Sequence, residues 1–266
     1  MATGYAELFC FSNFTFLTGA SHPHELAERA LELGYNAIAI TDACSVAGIP
    51  RAWAALKESP VKLITGSWFE LEDAPADAAT PRFTLLAQTR KGYGQLCQLI
   101  TTGRRRAEKG QYQLFTRDIE TQELDNCLCL WLPPASSAAS YEQAEACGEW
   151  LQRLFEQRLR IGATRTLEAG EEQQLARVRE LAEHLQLAVV ATGDVHMHAR
   201  ERQPLQDVLT ALRHHSRVEN AGRCLFQNGE RYLRPLPVLQ VNDPIPLIDP
   251  HFRRFFTWER FKRIMP

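Results

Sequence analysis

Several features that mark whole classes of protein are missing from this sequence of 266 residues. No C-x-x-C pair occurs among its seven cysteines, and no apolar run approaches the roughly 20 residues needed to cross a membrane. The charge is nearly balanced at −2, which gives no general attraction to nucleic acid or to an anionic membrane. Any basic surface must therefore be local, as in residues 104–106 or 231–235. We expect reduced, buried cysteines rather than disulfides or a zinc site.

Three further absences narrow the function. The N-terminus has neither a basic start nor a signal-like apolar segment, so we expect a cytoplasmic protein. No glycine-rich phosphate loop follows the first predicted strand, which argues against dinucleotide binding. Neither Ser21 nor any cysteine stands near a histidine and an acid in a recognisable hydrolase motif, so no nucleophilic triad is expected.

What the sequence does contain is a repeated alternation of short apolar runs and amphipathic segments. The apolar runs predict seven strands, at residues 6–12, 35–42, 61–71, 82–88, 126–133, 155–162 and 187–198. The amphipathic segments predict helices at residues 22–34, 92–107, 140–155, 171–187 and 204–215. This alternation predicts a parallel α/β sheet with helical cover, arranged either as a barrel or as a doubly wound sheet.

Ionisable residues lie at the ends of the predicted strands, where the catalytic residues of a barrel enzyme are found. Asp42 follows the second strand, and Asp194 and His196 end the seventh strand with side chains on one face. Carboxylate and imidazole ligands suit zinc, manganese or iron, so these three residues are candidate metal ligands. Glu70 and His198 are weaker candidates. The alternative is that these polar groups bond to one another and to nearby backbone, completing the mouth of the barrel.

The residues at these strand ends also carry a family resemblance. "YAELFCFSNFTFLTGASHPHELAERALELGYNAIAITDACSVAGIPRAW", "FTLLAQTRKGYGQLCQLITTGRRRAEKGQY" and "VVATGDVHMHARERQPLQDVLTALR" resemble bacterial C-family DNA polymerases. The resemblance is strongest to their error-prone, damage-tolerance branch (DNA polymerase III alpha-like) and covers residues 5–239. It implies a PHP (polymerase and histidinol phosphatase) domain, a distorted (β/α)7 TIM-like barrel. Active members of that family bind up to three metal ions and hydrolyse phosphoesters.

Most metal-ligand positions of the family are changed in this chain. The resemblance places Phe9 and Phe11 at a His-x-His motif, Ala43 at the histidine after Asp42, Trp68 at a glutamate, and Arg160 at a mid-chain histidine. The last motif, Asp-x-His, is intact as Asp194 and His196. We expect the aromatic rings to fill the space of the ions and Arg160 to pair with Asp42 or Asp194.

The resemblance implies a structural, non-catalytic domain of an error-prone DNA polymerase, active in replication past damage and in repair. No cofactor is expected. The implied partner is the polymerase core, with DNA contacted only indirectly and damage-tolerance accessory proteins as possible further partners. The alternative is a stand-alone metal-dependent phosphoesterase that uses a reduced Zn, Mn or Fe site. No carboxylate set for polymerase chemistry is found, so an activity for this chain is not assigned.

Two regions are predicted, a PHP-like barrel domain at residues 1–239 and a divergent tail at residues 240–266. The tail is first rich in proline, then basic and aromatic. We expect it to pack on the domain or to remain disordered. The alternative is that it recruits a partner or nucleic acid, because aromatic and basic residues interleave there.

Overall fold

The computed structural model describes residues 4–135 and 138–242. The predicted tail therefore lies almost wholly outside the described residues. The chain forms two compact units, each assembled from separated stretches of sequence. Of the described residues, the first unit takes 4–65, 164–171 and 191–242, and the second takes 66–135, 138–163 and 172–190.

Within the described residues, seven strands form one sheet in sequential order, in agreement with the number predicted. They are β1 (Ala6–Glu7), β2 (Ala37–Ile40), β3 (Lys62–Glu70), β4 (Arg82–Ala87), β5 (Cys127–Trp131), β6 (Leu159–Thr164) and β7 (Val189–Thr192). The first and last strands are shorter than predicted. Their continuations make isolated parallel bridges instead, from Cys10 to Val195 and from Met197 to Tyr232.

Nine α-helices occur in the described residues. They are α1 (Pro23–Glu32), α2 (Ile49–Leu56), α3 (Arg90–Arg106), α4 (Thr116–Thr121), α5 (Tyr141–Phe155), α6 (Glu171–His184), α7 (Gln203–Arg213), α8 (Val218–Ala221) and α9 (Leu236–Asn242). The five predicted helices are confirmed as α1, α3, α5, α6 and α7. No helix in the described part of the chain is long and apolar enough to span a membrane.

The prediction of a wholly parallel sheet was wrong at β4. This strand runs antiparallel to both β3 and β5, whereas β1–β2, β2–β3 and β5–β6 pair in parallel. The physical reason is the connection between β3 and β4, which holds no helix and returns the chain directly beside the strand it left. An apolar run indicates a buried strand but carries no information about its direction.

Local sequence explains how the helices nearest the strand ends begin. Pro23 opens α1, where its missing N–H costs nothing, and the His22 amide donates to the Glu25 carboxylate at 2.8 Å. Thr89 caps α3 by accepting a hydrogen bond from the Gly92 amide at 3.1 Å. Such capping contacts fix the first residue of each helix and therefore also the position of the strand end that precedes it.

Candidate functional site

The first buried acid of the first unit is Glu7, at the end of β1. Its carboxylate accepts hydrogen bonds from the amides of Leu8 and Phe9, each at 3.0 Å, and from the Tyr5 hydroxyl at 2.7 Å. The Gly193 amide after β7 also donates to it, at 3.0 and 3.1 Å to the two oxygens. A Cβ on Gly193 would lie 2.5 Å from Glu7 Oε2, so this close approach requires glycine.

Asp42, the first candidate ligand, follows β2 and is fully buried. Its Oδ1 accepts from the Ser12 amide at 2.8 Å and from the Thr15 hydroxyl at 2.7 Å, and its Oδ2 accepts from the Ser12 hydroxyl at 2.7 Å. Burial raises the pKa of Asp42, and these hydrogen bonds oppose that rise. The side chain of Ala43 carries no imidazole, and the Ala43 amide donates to Thr15 Oγ1.

Asp194 and His196 come together as the sequence predicts. His196 Nε2 lies 3.1 Å from Asp194 Oδ1, and His196 Nδ1 lies 3.2 Å from the Thr18 carbonyl oxygen. Burial lowers the pKa of His196 to about 4, which favours the neutral ring, and its single N–H donates to one of these two oxygens. Asp194 has a left-handed backbone, φ 45°, which an aspartate tolerates at a sharp turn.

The positive charge beside Asp194 comes from Arg231. Its guanidinium pairs with Asp194 Oδ2 and, at 3.1 Å, with Glu168. We expected Arg160 to pair with Asp42 or Asp194. At Asp194 the cation is Arg231, which the sequence offered only as part of the basic stretch "RYLRP". The pairing of Arg160 with Asp42 stays a prediction.

The same segment corrects the prediction of a basic surface at residues 231–235. Arg231 is largely buried, and Arg234 is fully buried, with its guanidinium donating to the carbonyls of Glu230 and Arg165. These two side chains act inside the first unit rather than at its surface. The other predicted basic stretch, residues 104–106, is indeed at least partly exposed.

Aromatic rings pack around the Asp194 pair. Phe9 and Phe11 are buried, with exposed fractions of 7% and 5%, and their ring centroids lie 5.0 Å apart. The Phe11 ring lies 5.1 Å from the His196 ring, whose other neighbour, Phe226, is 4.9 Å away. The Arg231 guanidinium lies 4.4 Å from the centroid of Phe226. We call this set, Phe9, Phe11, Asp194, His196, Phe226 and Arg231, the aromatic plug.

The remaining predicted residues have contacts of their own. Trp68 is half-buried on the part of β3 that belongs to the second unit, and Glu70 pairs with Arg82 at 2.7 Å on the neighbouring strand. Arg160, also in the second unit, is buried and donates to the carbonyls of Gln157 and Leu159. His198 Nδ1 lies 2.8 Å from the Ser21 hydroxyl.

The contacts of Asp42, Asp194 and His196 decide whether these three side chains can bind a metal ion. Asp42 uses both oxygens for hydrogen bonds, Asp194 has both occupied by Arg231 and His196, and His196 directs both ring nitrogens at protein oxygens. Nowhere in residues 4–135 and 138–242 do three His, Cys, Asp or Glu side chains group as metal ligands. The described residues therefore do not fit the ion cluster that the resemblance implies for active members.

Comparison with known proteins supports the resemblance. The chain is 48% identical over 94% of its length to the error-prone DNA polymerase of Methylococcus capsulatus, and 48% identical over 92% to that of Pseudomonas aeruginosa. It spans only 23% and 22% of the length of these two curated relatives.

The fold also has solved counterparts. A crystal structure from Bifidobacterium adolescentis, described as a candidate metal-dependent phosphoesterase, superposes with a TM-score of 0.54. The match covers 74% of this chain and 88% of that one, at 14% sequence identity, and so supports the fold alone, a distorted TIM-like (β/α)7 barrel. The family model for the PHP domain matches residues 8–161, more than half of the sequence, and the chain belongs to the PHP domain family.

Proposed function

We propose that this chain is the PHP domain of an error-prone DNA polymerase and that it acts as a non-catalytic, structural part of that cytoplasmic enzyme. The identity of about half of its residues to such polymerases, over more than nine-tenths of the chain, supports this assignment. Because the chain spans about a quarter of their length, synthesis past damaged DNA would belong to the whole polymerase.

The observation that carries the structural role is the aromatic plug. Phe9 and Phe11 are buried at the positions that the family resemblance gives to metal-binding imidazoles. Arg231 supplies Asp194 with a permanent positive charge, where an active relative would use metal ions. A catalytic metal site needs a preorganised set of free ligand atoms and room for water, and the plug offers neither.

In this proposal the PHP domain supports the polymerase core and contributes rigidity through a packed interior. Aromatic and aliphatic side chains fill both units, with Leu26, Ile38 and Ile64 buried in the first and Phe83 and Trp131 in the second. The polymerase core is therefore the expected partner, and damage-tolerance accessory proteins are further candidates. The residual Asp42, Asp194 and His196 would be vestigial.

The test is to produce the chain in cells grown with added zinc, manganese and iron. The metal content of the purified chain is then measured by elemental analysis. We expect far less than one ion per chain. We also expect no hydrolysis of a generic aryl phosphate when manganese or zinc is added. Stoichiometric metal, or metal-stimulated hydrolysis that Asp194→Ala abolishes, would instead establish the phosphoesterase alternative.

A further inference from the structure

Exposed apolar side chains are confined to one of the two units. The units are of similar size, and both have a packed apolar interior. Yet within residues 4–135 and 138–242, the large apolar side chains that remain exposed all belong to the first unit. They are Phe16, Leu31, Trp53, Leu167, Leu205, Val208 and Leu212. Single exposed apolar residues are ordinary, but three of these lie together on α7, and such a cluster marks an interaction surface.

Helix α7 turns a row of apolar residues toward solvent. Leu205, Val208 and Leu212 are spaced by three and then four residues, so they lie on one face of the helix. Their exposed fractions are 40%, 43% and 54%. We call these three side chains the α7 face.

The inner side of the same helix is largely polar. Gln206, Thr210 and Ala211 are buried there, and the Gln203 amide donates to the Asp207 carboxylate at 2.7 Å. A surface helix ordinarily has the reverse arrangement, with its apolar residues inward and its polar residues outward. Packing within the first unit therefore does not explain why the three apolar side chains face outward.

Phe16 lies on a loop that is joined to α7. Its side chain is 82% exposed. Arg213, the last residue of α7, donates to the Thr18 hydroxyl in this loop at 2.9 Å, and the Thr18 carbonyl oxygen lies 3.2 Å from His196 Nδ1. A member of the aromatic plug and the end of α7 thus both contact the loop that carries Phe16. These contacts fix the loop at the C-terminal end of α7.

We propose that the α7 face and Phe16 form the surface on which the polymerase core packs, through an apolar and uncharged surface of the core. The inference rests on the proposed function, which supplies the core as the partner. This chain spans 23% of the Methylococcus capsulatus polymerase, so most of that polypeptide lies outside the matched segment. The described chain also ends in the first unit, in α9, so the chain that follows leaves from the unit that carries the α7 face.

The size of this surface favours a partner in the same polypeptide over a second copy of the chain. An interface between separate proteins buries about 800 Å² on each partner, and four partly exposed side chains offer much less. A core in the same polypeptide is present at an effective concentration of about millimolar. A small apolar contact is therefore enough to hold it.

The lack of charge on the α7 face argues against the tail of this chain as the occupant. Between Gln203 and Leu212 the only charged residue is Asp207, which already accepts a hydrogen bond from Gln203. Residues 252–263 of the tail contain five basic residues and one acidic residue. Burial of that segment on an uncharged face would leave most of its cations without partners.

The experiment is photochemical carbene labelling of exposed side chains, followed residue by residue with mass spectrometry. It compares this chain alone with the whole polymerase of Methylococcus capsulatus. We expect strong modification of the α7 face in this chain alone. In the whole polymerase, the residues aligned with it should be modified no more than those aligned with β2, which is buried at every residue. The exposed polar side of α3 is the control and should be modified equally in the two proteins.

Every other outcome contradicts the proposal. Equal modification of the α7 face and of its aligned residues would mean that the core does not cover them. Weak modification in this chain alone would assign the face to a second copy if it increased on dilution, and to the tail if it did not depend on concentration. A decrease in the whole polymerase that was as large at α3 as at α7 would mean that the cover is not specific to the apolar face.

Variants of the whole polymerase test whether apolar contact is the cause. Glutamine at the two residues aligned with Leu205 and Leu212 should raise the modification of the aligned α7 segment several-fold, because polar side chains weaken an apolar contact. Glutamine at the residue aligned with Leu31, an exposed leucine on α1, is the matched control and should leave this modification unchanged. Equal effects of the two changes would overturn the proposal, and the comparison of the unmodified proteins needs no variant.

The two proposals fail separately. Stoichiometric metal in the purified chain would contradict the structural role and would leave the labelling result as it is. An α7 segment that stays exposed in the whole polymerase would contradict only the present inference. The metal measurement and the PHP assignment would be unaffected.

Discussion

Three carboxylates of the first unit are held in two different ways. Glu7 and Asp42 are fully buried and accept hydrogen bonds from neutral donors, namely backbone amides and hydroxyl groups. Asp194 is paired with the guanidinium of Arg231. Burial raises the pKa of Glu7 and Asp42, because neutral donors compensate a buried charge only partly.

This difference indicates which of the three carboxylates can lose its charge without a large loss of stability. A carboxylate held by neutral donors can be replaced by an amide that keeps most of the hydrogen bonds. A carboxylate held by a cation cannot lose its partner without leaving an uncompensated charge. The comparison therefore predicts a large loss of stability when Asp194 loses its cation and a small one when Asp42 is changed to an amide.

The largest expected effect is that of Arg231→Met. The variant leaves Asp194 and Glu168 largely buried without their shared cation, and breaking such a pair costs about 3 kcal/mol in the free energy of unfolding. Urea unfolding followed by circular dichroism measures the loss. The double variant Arg231→Met with Asp194→Asn should recover a large part of it.

The control for this prediction is Arg82→Met in the second unit. Its pair with Glu70, at 2.7 Å, is exposed, with side-chain exposures of 46% and 37%. Loss of this ion pair should lower the free energy of unfolding by less than about 1 kcal/mol. If Arg231→Met costs no more than this control, the ion pair is not what holds the aromatic plug together.

A smaller effect is expected at Asp42. Asp42→Ala removes the acceptor of the Ser12 amide and of the Ser12 and Thr15 hydroxyls, and should cost about 2 kcal/mol. Asp42→Asn should cost less than about 1 kcal/mol, since its amide group donates to a hydroxyl that also accepts. The free energies of unfolding of the two variants, measured by chemical denaturation, test this prediction. Equal costs would mean that the negative charge of Asp42 itself is required.

The smallest effect concerns pH. The folded pKa of Glu7 is raised by burial, so the unfolded chain releases this proton first as pH rises. The contribution of Glu7 to stability is therefore present at acid pH and is lost as pH rises above about 4.3 toward the folded pKa. Glu7→Gln keeps the acceptor for the Gly193 amide and should remove this part of the pH dependence.

Unfolding free energies of the wild type and of Glu7→Gln, measured between about pH 4 and pH 8, test this expectation. The difference between the two proteins should shift in favour of the variant as pH rises. Parallel curves across the whole range would show that the burial of Glu7 does not perturb its ionisation.

The sequence predicts the fold well because its signals are local. Each of the seven strands is a short apolar run, and the five longest helices have an apolar face. The direction of β4 and four helices, α2, α4, α8 and α9, were missed. Strand direction depends on the connection between strands rather than on composition. The four missed helices are eight residues long or shorter, which is too short to show a clear helical period in the sequence.

The site was predicted only in part, for a comparable reason. Asp194 and His196 are two residues apart on one strand end, so their meeting follows from strand geometry. Arg231 reaches Asp194 through tertiary packing, which no spacing in the sequence encodes. Phe9 and Phe11 were singled out only through the family resemblance, because a buried phenylalanine cannot be told from any other core residue by its type.

The position of Arg231 has a consequence for anyone who designs a metal site into this domain. This arginine lies outside residues 8–161, the stretch that the family model matches, and on a segment joined to the strand end by the bridge from Met197 to Tyr232. Histidines introduced at positions 9 and 11 would leave Asp194 paired with Arg231. Such a design therefore needs a change at Arg231 as well, more than 200 residues further along the chain.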